Sequence, residues 1–254
     1  MKLFFILTLF CLYAIPANAL PTFQEVKSSY KKSDALLLDR HGEVIHELRV
    51  DPKGRRLDWV GLKEISPSLI KAVLYSEDKR FYEHGGVDWK AIGASVIKNL
   101  FTDKRRGAST ITMQVASRLE KSLQPKGGKR TFGQKWEQIK AAGEIEEVWS
   151  KDQIIEAYLN LITFRGELQG IGAASRGLFD KEPGGLDEAE SVILASLIRS
   201  PNASVADVAK RGCVLSKTMN AASSCEGIKK LAEGALSGPY NVRPNVSLAY
   251  HLAH

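Results

Sequence analysis

Apolar residues recur at helical spacing through most of the chain. The first such stretch begins with Ser66 as a potential helix cap and Pro67 at the first helical position, and its apolar residues run from Leu69 to Leu74, towards Glu77. Similar patterns predict helices over residues 88–100, from 109 or 110 to about 119, and over 131–149, 150–161, 173–178 and 187–199. The fold is therefore predicted to be mostly α.

Residues 20–60 have a different, more polar pattern. Two short apolar runs, Ala35–Leu38 and Val44–Leu48, flank the sequence His41-Gly42-Glu43, which is typical of a tight turn. This pattern predicts a small N-terminal β element, a hairpin that leads into the helical region.

The first nineteen residues have the pattern of a secretory signal peptide. Lys2 precedes an apolar run from Leu3 to Ile15, and Ala17-Asn18-Ala19 offers a small-residue cleavage site. The run has roughly 13 residues, fewer than the roughly 20 that a membrane-spanning helix needs. Cleavage is therefore favoured over retention as a membrane anchor, and we expect an exported protein that is soluble or peripheral to a membrane.

The composition narrows the class of partner. Of the 254 residues, 44% are hydrophobic and 26% are charged, as in an ordinary globular protein. The formal net charge of +7 favours anionic partners such as phosphate or anionic lipid, and export argues against nucleic acid. Beyond the signal, the cysteines are Cys213 and Cys225, for which we expect a structural disulfide, with two free buried thiols as the alternative.

Two strings of residues carry the candidate chemistry. Glu-Asp-x-x-Phe-x-x-His-x-Gly starts at Glu77, and Gly-x-Ser-Thr-x-Thr-x-Gln runs from Gly107 to Gln114. If the first string is helical, Glu77, Phe81 and His84 share one face of the helix. The Glu77 carboxylate can then act as a general base that takes a proton from a hydroxyl group. The hydroxyls and helix-start amides of the second string suit a phosphate or a sugar. Each string alone could instead be structural, as an acidic turn beside a core phenylalanine or as a plain helix cap.

Three further regions follow in order. Lys135 to Gln138 begins the predicted long helix, Lys-x-x-Ile-Ile-Glu-x-Tyr-Leu-Asn runs from Lys151 to Asn160, and a glycine-rich region spans Phe164–Ser175. Together the five regions resemble the peptidoglycan glycosyltransferase domain (glycosyltransferase family 51) of class A penicillin-binding proteins. The resemblance covers about residues 60–202, and the fifth region is similar to that of the 1C-type branch.

The resemblance implies a lysozyme-like helical fold and the polymerisation of lipid II into β-1,4 glycan strands, with inversion at the donor anomeric carbon. It implies that Glu77 is the catalytic base and that Glu156 is a second acid, which assists the leaving pyrophosphate or holds Mg²⁺ or Mn²⁺ beside it. No organic cofactor is expected. The substrate-binding residues that it implies are Asp78, Phe81, His84, Gly107, Ser109, Thr110, Gln114, Arg118, Lys135 and Asn160.

The chain departs from the family pattern on the phosphate-binding side. Ser117 stands where the family usually carries lysine or arginine, with Arg118 beside it as a substitute. Gln134 and Gln138 stand in place of the arginine and the glutamate of the third motif, in which Lys135 is matched. The alternative for Lys135 is an exposed helix lysine without a partner.

The expected organisation is a signal peptide at 1–19, a lead-in segment at 20–60, the glycosyltransferase domain at 61–202 and an extension at 203–254 with the cysteine pair. The expected location is the periplasm, peripheral to the inner membrane, with Leu100–Arg106 as a membrane contact. The expected partners are lipid II, the growing glycan strand, the membrane surface and a separate transpeptidase, because no transpeptidase domain follows. The alternatives are a non-catalytic scaffold that binds lipid II or glycan, and a glycan hydrolase with two carboxylates.

Overall fold

The structure, a computed structural model, describes residues 20–101, 109–124, 131–238, 240 and 242. A short helix, α1 (Phe23–Ser29), comes first and has a capping box at its start. The antiparallel strands β1 (Asp34–Leu38) and β2 (Val44–Arg49) follow. Gly42, with φ of +83°, lies in the turn between them. The predicted N-terminal hairpin is confirmed.

The remainder of the described chain is mainly helical. Its first helices are α2 (Pro67–Glu77), α3 (Trp89–Phe101), α4 (Ile111–Leu119), α5 (Phe132–Val148) and α6 (Lys151–Leu161). A small hairpin of β3 (Thr163–Arg165) and β4 (Leu168–Gln169) follows. The last helices are α7 (Ile171–Phe179), α8 (Glu188–Ile198), α9 (Val205–Met219) and α10 (Cys225–Leu236). The mostly α fold with a small N-terminal β element is confirmed.

Polar caps start several of these helices where the sequence predicts them. Thr131 and Ser150 form capping boxes at the starts of α5 and α6. Thr110 caps α4, and its hydroxyl accepts a hydrogen bond from a backbone amide of the first turn. Ser66 precedes α2 as predicted, but its hydroxyl donates to the carbonyl oxygen of Leu186 at 2.8 Å instead of capping the helix.

The hydrophobic core is continuous from α2 to the C-terminal helices. Helix α8 is buried from Glu190 to Leu197, and α2 and α9 pack against it. Helices α9 and α10 contribute to the same core instead of forming a separate unit. A disulfide joins Cys213 in α9 to Cys225 in α10, as predicted. The C-terminal helices therefore close the core under α2.

The prediction that the first motif continues as a helix is wrong. Helix α2 ends at Glu77, Phe81–Glu83 forms a single 3₁₀ turn, and His84 is extended. Glu77, Phe81 and His84 therefore do not share a helix face. The motif is a helix end followed by a tight turn.

Gly86 is required where this turn meets α5. Its φ is +85°, and a Cβ atom there would lie 2.7 Å from the carbonyl oxygen of Ala142 in α5. Its own carbonyl oxygen accepts a hydrogen bond of 2.6 Å from the Thr110 hydroxyl. The turn after Glu77 is thereby fixed against both α4 and α5.

Several sequence predictions fall on parts of the chain that the structure does not describe. The signal peptide at 1–19, Gly107 and residues 102–106 of the expected membrane contact lie outside the described residues. Among the helices that are described, none combines the length and the apolar character needed to cross a bilayer.

Candidate active site

Three helices meet at the carboxylate of Glu77, the last residue of α2. Gln114 in α4 donates from its amide nitrogen to Glu77 Oε2 at 3.0 Å, and the Ser76 hydroxyl donates to Glu77 Oε1 at 3.2 Å. Tyr158 in α6 donates its hydroxyl to Gln114 Oε1 at 3.1 Å. The predicted base therefore lies in an ordered hydrogen-bond chain and remains partly exposed.

Tyr158 determines which way the Gln114 amide faces. Its side chain is fully buried, and burial, together with the nearby Glu77 charge, raises the pKa of Tyr158 well above its ordinary value. The hydroxyl consequently stays protonated and donates to the amide oxygen, which leaves the amide NH₂ group facing Glu77. An incoming sugar hydroxyl would thus meet a carboxylate that is held in one position by a fixed donor.

A cation and a hydroxyl lie together at the starts of α4 and α5. Lys135 donates from Nζ to the Ser109 hydroxyl at 2.7 Å and to Gln138 Oε1 at 3.3 Å. Ser109 directly precedes Thr110, the cap of α4. An ammonium and a hydroxyl beside a helix N-terminus suit a phosphate group. The structure therefore brings together Ser109 and Lys135, which the sequence only suggests separately.

Arg118 lies one helical turn after Gln114 in α4, so both residues are on the same face of that helix. Its guanidinium donates to the carbonyl oxygen of Leu161, at the end of α6, at 3.3 Å. The side chain is exposed. Arg118 is thus a second cation near the Glu77 side of α4, as the sequence suggests.

Asp78 and His84 bind each other beside Glu77. His84 Nε2 lies 3.0 and 3.1 Å from the two carboxylate oxygens of Asp78, and the Ile111 amide donates to Asp78 Oδ2 at 3.1 Å. The side chains of His84 and Asp78 are 9% and 3% exposed. Asp78 therefore ties the end of α2 to the start of α4, and the substrate-binding role expected for this pair stays a prediction.

Three more expected substrate contacts are buried and used within the protein. The Phe81 ring is buried beneath Lys151, whose ammonium lies 4.4 Å from the ring centroid. Thr110 is buried and bonded as described above. Asn160 binds both the amide and the carbonyl oxygen of Val60 at 2.9 Å. These are packing and positioning contacts, and the part of these residues in substrate binding stays a prediction.

Glu156, the expected second acid, does not join Glu77. Its Oε1 accepts hydrogen bonds from Lys27 Nζ at 3.0 Å and Trp59 Nε1 at 2.7 Å, and its Oε2 accepts one from the Leu62 amide at 2.9 Å. Burial raises the pKa of the Glu156 carboxyl, but the bonds from Trp59, Leu62 and Lys27 outweigh it and bring that pKa below its ordinary value. The carboxylate is therefore an anchor for α1 and for residues 59–62.

The position of Glu156 on α6 explains this separation. Residues two apart in an α-helix point in directions about 200° apart, so Glu156 and Tyr158 lie on opposite sides of α6. Tyr158 reaches the Gln114 amide, whereas Glu156 reaches the N-terminal segment. The helix thus directs this carboxylate away from Glu77, and the second-acid role stays a prediction that these contacts do not support.

The described residues do not fit the expected metal site either. Both oxygens of Glu156 already accept hydrogen bonds from protein donors. Within the described ranges, Asp78, His84 and Asp88 are the group that could hold a metal, with donor atoms within 4.8 Å of one another. Asp88, however, caps α3 and is paired with Arg80. Protein donors thus already occupy these carboxylates.

Sequence reasoning missed two features of the site. The first is Tyr158, to which the sequence strings assign no role, although the hydroxyl of a buried tyrosine usually needs a partner. The second is the contact between Ser117 and Gln138, whose amide nitrogen donates to the Ser117 hydroxyl at 2.6 Å. Two departures from the family pattern are therefore direct neighbours, a contact between helices that no spacing along the sequence indicates.

Comparison with known proteins identifies the family. The transglycosylase family model matches residues 41–220. A biosynthetic peptidoglycan transglycosylase of Haemophilus influenzae is 38% identical over 149 residues, which cover 57% of this chain and 57% of that protein. Penicillin-binding protein 2D of Bacillus subtilis is 36% identical over 150 residues, which cover 59% of this chain and 21% of that protein.

A crystal structure of penicillin-binding protein 1A from Haemophilus influenzae aligns with 84% of this chain and 22% of its own, with 17% identity and a TM-score of 0.36. The chain thus spans only part of the length of the proteins it matches, 57% of the transglycosylase and 21% of penicillin-binding protein 2D. The family model, however, covers most of the chain, including Glu77, Gln114, Lys135 and Tyr158. The chain belongs to the transglycosylase family.

Proposed function

We propose that this chain is a peptidoglycan glycosyltransferase that polymerises lipid II into β-1,4 glycan strands. The observation that carries the proposal is the hydrogen-bond chain from Tyr158 through Gln114 to Glu77, which holds a partly exposed carboxylate where three helices meet. Relatives named biosynthetic peptidoglycan transglycosylase, at 35% and 38% identity, support the same reaction.

In this proposal Glu77 takes the proton from the acceptor sugar's 4-hydroxyl while the hydroxyl oxygen attacks the donor's anomeric carbon. The bond from that carbon to the pyrophosphate oxygen breaks, its electron pair leaves with the pyrophosphate, and the α linkage becomes β. Negative charge grows on the leaving group, so cations are needed. Lys135 with Ser109, and Arg118, are the candidates. Glu156 takes no part, and no metal ligand is assigned.

The location and the partners follow from the same proposal. Cleavage after residue 19 would release the chain into the periplasm, where it would act at the surface of the inner membrane that holds lipid II. The net charge of +7 favours an anionic membrane surface and an anionic donor. A separate transpeptidase would then crosslink the glycan product.

The test is lipid II polymerisation by residues 20–254, with wild type beside Glu77→Gln and with Mg²⁺, Mn²⁺ or no metal. We expect polymer from the wild type and a rate at least about a hundredfold lower in the variant, the scale of general-base removal. Thermal melting confirms that both proteins are folded. A folded wild type that binds lipid II but makes no glycan in any condition would establish the scaffold alternative, and cleavage of preformed glycan would establish a hydrolase.

A further inference from the structure

Gln138 is wholly buried between α4 and α5. Its amide nitrogen donates to the carbonyl oxygen of Met113 at 2.7 Å and to the hydroxyl of Ser117 at 2.6 Å. Its amide oxygen accepts a hydrogen bond from Lys135 Nζ at 3.3 Å. Both amide hydrogens and the amide oxygen therefore have partners within the protein.

These partners allow the amide only one orientation. The Met113 carbonyl oxygen can only accept, and the Ser117 hydroxyl donates to that same oxygen at 3.1 Å, which leaves a hydroxyl lone pair for Gln138. A turn of the amide by 180° would place its oxygen against the Met113 carbonyl and its NH₂ group against the Lys135 ammonium. Two unfavourable contacts thus keep the amide oxygen on the lysine side.

Lys135 Nζ is consequently held between the Gln138 oxygen and the Ser109 hydroxyl. A lysine ammonium sits on a flexible four-carbon stem, and ordering it costs rotamer entropy. The bond to the buried amide orders the ammonium before any ligand arrives, so less rotamer entropy is lost when the ligand binds. A carboxylate at position 138 would place a negative charge beside the ammonium. Glutamine is neutral, so it orients the ammonium without that charge.

We propose that Gln138 is a positioning residue that places the Lys135 ammonium to bind a phosphate of the donor's pyrophosphate, with Ser117 fixing the Gln138 amide. This inference rests on the proposed function and deepens it. Two positions where the chain departs from the family pattern then act together to orient the remaining lysine.

The experiment measures the affinity of residues 20–254 for inorganic pyrophosphate by titration calorimetry. The proteins are the wild type, Gln138→Leu, Lys135→Ala and the double variant. We expect each single variant to bind about tenfold more weakly, the scale of a hydrogen bond to a charged group. The double variant should bind no more weakly than Lys135→Ala alone, because Gln138 acts through Lys135. A purely structural Gln138 would lower the affinity by the same factor in both backgrounds, which would overturn the proposal.

A second substitution and two controls keep the test independent of folding. Gln138→Met keeps a neutral side chain of similar size but removes the oxygen that accepts from Lys135, so it should also weaken binding, and it replaces Gln138→Leu in the cycle if the leucine variant fails to fold. Lys140→Ala removes the same charge from the same helix. Gln134→Leu removes an amide whose bonds, among the described residues, go to the carbonyl oxygens of residues 122 and 124 and to the α5 cap. Both controls should bind as the wild type does.

This proposal and the proposed function fail in different ways. If the wild type polymerises lipid II but Gln138→Leu binds pyrophosphate normally, the role of Gln138 is wrong and the polymerase stands. If the binding cycle behaves as expected but no glycan is made, the polymerase is wrong and the anion site stands. If the wild type does not bind pyrophosphate measurably, the role of Gln138 is overturned.

Discussion

Replacing Glu156 with glutamine distinguishes an anchor from a catalytic acid. The carboxylate accepts three hydrogen bonds, from Lys27, Trp59 and the Leu62 amide, and its side chain is 13% exposed. Glutamine has almost the same volume but offers one acceptor oxygen instead of two. Its NH₂ group must then face at least one donor. The expected loss of stability therefore comes from lost hydrogen bonds and lost charge, not from changed packing.

The size of the stability loss follows from how far each hydrogen-bond partner of Glu156 is buried. A hydrogen bond to a charged group is worth about 1.5–3 kcal/mol. The Lys27 contact counts for less, because the lysine side chain is 39% exposed and screened by solvent. With one neutral bond retained to Trp59 or Leu62, we expect the free energy of unfolding to fall by about 2–4 kcal/mol. For a domain of this size, that lowers the Tm by about 4–16 °C.

The assay combines thermal melting with lipid II polymerisation, measured well below the lowered Tm. Glu156→Gln should melt earlier yet retain a rate within a few-fold of wild type, whereas Glu77→Gln should show the opposite pattern. Lys27→Met removes a single contact of the same anchor and should cause a smaller loss of stability. A rate about a hundredfold lower for Glu156→Gln, with an unchanged Tm, would refute the reasoning and establish the second-acid role.

Three further predictions address other parts of the structure. Tyr158→Phe leaves the partly buried Gln114 amide oxygen without its donor, so we expect about 1–3 kcal/mol less stability and roughly tenfold slower polymerisation; a wild-type rate would exclude Tyr158 from the site. Glu156 has a folded-state pKa below its ordinary value of 4.5, so its stabilisation is present above that value and is lost as the pH falls through the folded-state pKa. The Tm difference between wild type and Glu156→Gln should therefore shrink on acidification, and a constant difference would contradict this. Replacing Cys213 and Cys225 by serine removes a crosslink between residues 12 apart and should lower the free energy of unfolding by about 3 kcal/mol. Denaturant unfolding measures this loss, and an unchanged unfolding midpoint would show that the disulfide does not stabilise the fold.

Local signals account for the parts of the fold that could be predicted. Thr131 and Ser150 start helices because their side chains satisfy amides a few residues away, and Gly42 accommodates the left-handed turn of the hairpin. The end of α2 is different. The spacing of Glu77, Phe81 and His84 fits a helix, but the Asp78 carboxylate binds the Ile111 amide in another segment. Periodicity carries no information about that contact.

The candidate site, like the fold, could be predicted where fixed spacings along the chain identify a residue, and not where a contact joins distant segments. The family strings locate Glu77, Gln114 and Lys135, because these residues stand at fixed spacings along the chain. The role of Glu156 could not be read in this way, since its partners Trp59 and Lys27 are 97 and 129 positions away in the sequence. Which face of α6 meets which segment is decided by packing over the whole chain.

The attachment of α2 to the C-terminal half has a consequence for folding. Glu77 ends this helix, while at its start the amide and hydroxyl of Ser66 bind the carbonyl oxygens of Pro183 and Leu186, the latter 120 positions away. Every motif from Glu77 to Asn160 is therefore synthesised before the surface on which α2 rests. A nascent chain that already carries all of its chemistry must still close this long loop, a slow step for a helical protein. The catalytic arrangement is thus expected to form late, and a fragment that ends before α8 should contain the motifs without assembling them.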